Sequence, residues 1–165
     1  MKKLLASGLA LLLLALAGLA QAQEEAGEQF HNPRFGFTLT IPSGHTSLLL
    51  PENGDGVTAL YREGMELRAY GSLSPLVFSR NCKALYEEAK EGFDEITYSR
   101  LNEAKGWFVL SGYREGKIRY LKQFVGREAT NAVDMVYPKE HARKFDGFVN
   151  TVVRSFVPGS LDIAP

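Results

Sequence analysis

Hydrophobic and polar positions divide the chain into three unlike stretches. Residues 4–19 are an almost unbroken run of leucine, alanine and glycine, residues 29–156 mix alternating segments with segments of helical spacing, and residues 157–165 carry two prolines and a glycine. In the middle stretch Phe35, Phe37, Leu39 and Ile41 alternate with smaller or polar residues and stop at Pro42, the pattern of a half-buried strand. Gly44, Pro51, Asn53, Gly54 and Gly56 mark a loop. Strand-like segments at 57–62 and 65–71 flank Glu63-Gly64, which predicts a hairpin. Cys82, Leu85, Tyr86, Ala89 and Phe93 then recur at helical spacing and predict a helix ending near Gly92.

Four more strands are expected at 95–101, 106–113, 117–125 and 129–137, with a turn at Arg114-Glu115-Gly116. Trp107 to Leu110, and Val133, Met135, Val136 and Tyr137, are apolar on both faces, which predicts central strands covered on both sides by helices. Phe145, Phe148, Val149, Val152, Val153 and Phe156 lie on one face of a closing helix. Hairpins joined to two separate helices predict an α+β fold, a mostly antiparallel six-stranded sheet flanked by helices.

The apolar run at the start carries a different message. Lys2 and Lys3 precede it and Ala20-Gln21-Ala22 follows, the three-part order of a secretory signal peptide cleaved after Ala22. The run is shorter than the roughly 20 residues that span a bilayer. With Gln23 after the cut there is no cysteine to lipidate. The expected product is a periplasmic or secreted protein without a membrane anchor: a flexible lead-in at 23–28, one domain at 29–156 and a flexible tail at 157–165.

Composition narrows the partners. The chain has 19 basic and 19 acidic residues, and loss of Lys2 and Lys3 tips the balance slightly negative, which argues against nucleic acid. The single cysteine, Cys82, can form no internal disulfide and sits on the apolar face of its helix, so a packed thiol is expected.

No motif specifies a reaction. Asn53-Gly54-Asp55-Gly56 lacks the spaced carboxylates of a calcium loop and reads as a turn. His31, His45 and His141 are too dispersed for a zinc site, so neither metal nor cofactor is expected. Ser111, His141 and Asp134 supply the residue types of a hydrolytic triad, but Val109 replaces the first glycine of the nucleophile elbow. Asp134 lies in a strand that is otherwise apolar, so it needs a basic partner or opens on a cleft. Arg62, Arg68, Lys117, Arg119 and Lys122, with Tyr61, Tyr70, Tyr113 and Tyr120, lie on hairpin strands and are the candidate partner-binding face, since arginine and tyrosine are enriched at interaction hot spots.

Arg34-Phe35-Gly36-Phe37 leading to Ile41-Pro42, Asn53-Gly54-Asp55-Gly56, Trp107-Phe108-Val109-Leu110-Ser111-Gly112, Tyr137-Pro138 and Ser155-Phe156 together resemble exported bacterial members of the PsbP/Mog-like superfamily. The resemblance covers nearly the whole mature domain, in order. It implies an α/β/α sandwich that serves largely as a non-catalytic binding or assembly platform, and it carries over no catalytic residues. Photosystem or GTPase binding, found in other branches, does not transfer with the fold. The expected function is a non-enzymatic module of the bacterial cell envelope that binds a protein partner. The alternatives are a minor envelope hydrolase using Ser111, His141 and Asp134, a neutraliser of an imported toxin, and a small-molecule binder.

Overall fold

The computed structural model describes residues 27–73 and 81–160. The leader, its cleavage site and residues 161–165 lie outside the described residues. The fold is α+β. Strands β3 (His45–Leu49), β4 (Gly56–Tyr61), β5 (Glu66–Leu73), β6 (Glu95–Asn102), β7 (Trp107–Arg114), β8 (Lys117–Val125) and β9 (Ala129–Pro138) form one antiparallel sheet in the order β3-β4-β5-β9-β8-β7-β6. Strands β1 (Glu28–His31) and β2 (Thr38–Ile41) form a separate two-stranded sheet. Helix α1 (Cys82–Lys90), helix α2 (Ala142–Ser155) and three short 3-10 turns complete the described elements.

The large sheet has seven strands where six were expected. The addition is β3, inside the segment read as a loop. Its His-Thr-Ser start hides the alternation, because an edge strand needs neither face fully apolar. The expected strand at 35–41 is also shorter. Buried Asn32 folds residues 32–37 into a tight turn: its side-chain oxygen accepts from the Arg34 and Phe35 N–H groups at 3.1 and 2.7 Å. Only Thr38–Ile41 then extends, and it pairs with β1. Glu28, placed in the flexible lead-in, is therefore the first residue of a strand, opposite Ile41.

The expected flexible tail begins too early as well. Val157 exchanges two backbone hydrogen bonds of 2.9 Å with Thr38, and the Gly159 N–H donates to Asn131 Oδ1 at 2.8 Å. Asn131 is fully buried, so its amide oxygen requires a donor. The chain end supplies it.

Both hairpin turns read from the sequence form. Glu115 and Gly116 have φ of +51° and +74°, the left-handed pair that a two-residue turn matching strand twist requires. A glutamate pays for that conformation more than a glycine does, and here its N–H is held by Asp94 Oδ2 at 2.6 Å. Glu63 and Gly64, at +63° and +78°, turn β4 into β5.

Each face of the sheet carries its own core. On one side α2 and the β1–β2 pair cover β4, β5 and β9 with Phe37, Leu39, Met65, Leu67, Met135, Phe145 and Val152. On the other, α1 lays Cys82, Tyr86 and Leu85 on Phe108, Leu110 and Leu121. Its start is capped by Asn81, whose side chain accepts from the Ala84 N–H at 2.9 Å. The two covers are offset. One consequence is that the α2-side surface of β6, β7 and β8 extends beyond the helix that was expected to cover it.

Candidate functional site

Strand alternation sorts the candidate residues onto opposite faces. Arg68, Tyr70, Arg119 and Asp134 project toward the α1 side, whereas Tyr61, Tyr113, Tyr120 and Lys122 belong to the α2 side, among or beside its core residues. The single basic, aromatic face expected from sequence does not exist. Positions 119 and 122 differ by an odd number on one strand, so they cannot share a face. Arg62 stands exposed in the β4–β5 turn and Lys117 at the start of β8.

On the α1 side, Asp134 sits at the centre of the sheet, 1% exposed, with a basic partner from each neighbouring strand. Arg119 donates from Nε and Nη2 to the two carboxylate oxygens at 3.0 and 2.8 Å. Arg68, directly opposite Asp134 in the β5–β9 register, adds a 3.0 Å bond from Nη2. Arg119 also donates to the Gly92 carbonyl at 3.0 Å and lies over the Phe93 ring, tying the end of α1 to the sheet. Asp134 thus has the compensation its burial demands. Beside it a cleft of about 340 Å³ is lined by Tyr70, Leu85, Glu88, Arg119 and Gln123. Burial, reinforced by the Asp134 charge, raises the Tyr70 phenol above its ordinary value.

The hydrolytic alternative loses its geometry here. Ser111 belongs to the α2-side parity of β7, with Val109, while Asp134 faces α1 and is held by two arginines. His141 lies in the turn before α2 with its ring against Phe145. No substrate can sit between groups on opposite sides of a sheet.

On the α2 side, the uncovered part of the sheet forms a groove of about 400 Å³. Register makes it a grid. Tyr98, Ser111 and Tyr120 face one another across β6, β7 and β8; Arg100, Val109 and Lys122 form the next row, and Asn102, Trp107 and Phe124 the third. Arg100 lies 5.3 Å from the Trp107 ring centroid and Lys122 lies 5.1 Å from that of Phe124, both within cation–π range. Val153 of α2 closes one side. Among the described residues, no carboxylate lines the groove.

Burial sets the electrostatics of this floor. It lowers the Lys122 pKa from its ordinary value and, with Tyr98 nearby, pushes the Tyr120 phenol up to about 12. Of the groove residues, sequence reasoning singled out only Lys122 and Tyr120 as binding candidates. Tyr98, Arg100, Trp107 and Phe124 were missed, although Tyr98 and Arg100 alternate on one face of their strand. The usable signal was an apolar strand face at Trp107 and Val109 with no second helix free to cover it.

An antiparallel seven-stranded sheet with offset helices on its two faces defines a PsbP-like α+β sandwich. The solution structure of cyanobacterial PsbP (CyanoP) from Synechocystis sp. PCC 6803 is similar to it, with a TM-score of 0.56 at 14% identity, over 79% of this chain and 91% of that one. No protein-family model matches the chain, and no curated protein matches it in sequence.

Proposed function

We propose that this protein is an exported, non-catalytic binding module of the bacterial cell envelope, and that its α2-side groove receives a protein partner. One observation carries the reading: among the described residues, no helix covers a sheet face built from aromatic and cationic side chains. Large amphipathic side chains around a small dry floor are what protein hot spots use, with Tyr, Trp and Arg foremost. The leader-like start and the PsbP-like fold support the location and the class. The hydrolase reading has lost its triad.

The test is site-specific photocrosslinking in cells. A crosslinker at Tyr98, 52% exposed at the groove rim, is expected to trap one dominant envelope protein. Exchange of Arg100 and Lys122 for glutamate is expected to abolish the adduct, and a crosslinker at Arg68 on the opposite face to give none. Equal capture from both faces, or capture unaffected by the charge reversal, defeats the assignment. A partner that proves to be an imported toxin, bound one to one, would identify the module as a neutraliser.

A further inference from the structure

Resting on the binding-module reading, we infer that the groove recognises an extended acidic segment of its partner, with a carboxylate side chain held between Arg100 and Lys122 and an apolar side chain two residues to either side. The argument is one of matching periods. Same-face rows of a sheet repeat every two residues, roughly 6.6–6.8 Å, and an extended peptide presents alternate side chains at that same spacing. The three rows run aromatic, cationic, aromatic, because Tyr98 and Tyr120 flank the first, Arg100 and Lys122 the second, and Trp107 with Phe124 the third. The matching ligand face reads apolar, acidic, apolar.

Charge supplies the rest. Arg100 and Lys122 stand on alternate strands with Val109 between them, so their backbones are roughly 10 Å apart, two strand spacings, and both long side chains can reach one anion above the valine. Among the described residues, neither has a carboxylate in the groove to answer it. Lys122 is half-buried between Tyr120 and Phe124, where its charge is partly stripped of water, as its lowered pKa reflects. A carboxylate restores what the ammonium has lost. A single-stranded nucleic acid would also use aromatic and basic groups, but the two cations here lie across the strands rather than along a backbone track of phosphates.

Trp107 is the sole tryptophan, so its emission reports the groove directly. The probes are two acetylated, amidated heptapeptides, Ser-Phe-Ser-Glu-Ser-Phe-Ser and its Gln counterpart, titrated against the mature protein with amide chemical shifts recorded in parallel. The Glu peptide is expected to shift Trp107 emission saturably and to bind at least about ten-fold more tightly than the Gln peptide, a difference of about 1.4 kcal/mol. Arg100→Ala and Lys122→Ala are each expected to erase that preference. The double variant Arg100→Glu/Lys122→Glu is expected to prefer a Lys peptide, a swap that loss of folding cannot produce. Equal binding of the Glu and Gln peptides, absence of any response, or tighter binding of an oligothymidylate overturns the inference. Partner capture at Tyr98 would survive that overturning, which separates this proposal from the one beneath it.

Discussion

Two pairs of cations lie on opposite faces of one sheet, and they have opposite fates. Arg68 and Arg119 converge on Asp134 and neutralise a carboxylate that is 1% exposed. Arg100 and Lys122 rest on Trp107 and Phe124 with no carboxylate among the described residues of their groove. The first arrangement is closed within the molecule and serves the fold. The second is open and has its charge to offer. Residue type alone therefore says little about role; what decides is whether an opposite charge is already in place.

The comparison breaks most visibly at Arg119. Arg119→Ala leaves Asp134 buried with only the more exposed Arg68, and is expected to cost about 3–5 kcal/mol in urea unfolding. The double variant Arg119→Leu/Asp134→Leu is expected to recover most of that loss, since removing both charges removes the penalty; no recovery would mean the pair stabilises by more than compensation. Arg68→Ala, at a side chain 44% exposed, is expected to cost about 1 kcal/mol.

Alkaline titration probes both faces together. The Tyr120 phenol titrates at about 12 in the fold against roughly 10 in the unfolded chain, so its contribution is complete below pH ~10 and is lost as pH rises toward 12. Tyr70 and Tyr137 are shifted in the same direction by burial. Urea midpoints are expected to fall across that window. A flat profile would show Tyr120 to be solvated and the groove floor to be wet.

Smaller effects separate the open pair from the closed one. Arg100→Ala is expected to change stability by no more than about 0.5 kcal/mol, as exposed substitutions generally do, while removing the preference for an acidic ligand. Lys122→Met is expected to hold or slightly raise the melting temperature, because it removes a half-buried charge that has no carboxylate beside it among the described groove residues. A large loss of stability in either variant would move these residues into the structural class of Arg119. Finally, Cys82, 8% exposed with its thiol pKa raised by burial, is expected to react with a thiol reagent far more slowly in the native protein than in urea.

Much of the fold was legible because its signals are local. The spacing of Cys82, Tyr86 and Ala89, and of Phe145, Val149 and Val152, places both helices, and Glu63-Gly64 and Glu115-Gly116 place both turns. The strand His45–Leu49 was not legible, since an edge strand with little burial leaves no alternation to read. The need of Asp134 for a basic partner was readable from its apolar neighbours, but the partners' identity required the β5-β9-β8 order.

The groove depended on register. A bulge between Ile96 and Tyr98 sets which β6 side chains face Ser111 and Val109, and no pattern in that segment announces it. The opposite facing of Arg119 and Lys122 was available from strand period alone.

The hydrogen bonds between Val157 and Thr38 join residues 119 positions apart, and they set an order of events. Strand β2 cannot acquire its last partner until the end of α2 has been made and released, so the N-terminal edge of the domain stays unfinished while the chain is still emerging. For a protein that must cross a membrane unfolded, as the proposed export requires, such late closure is useful. On that proposed route the fold would lock only after the thread has passed.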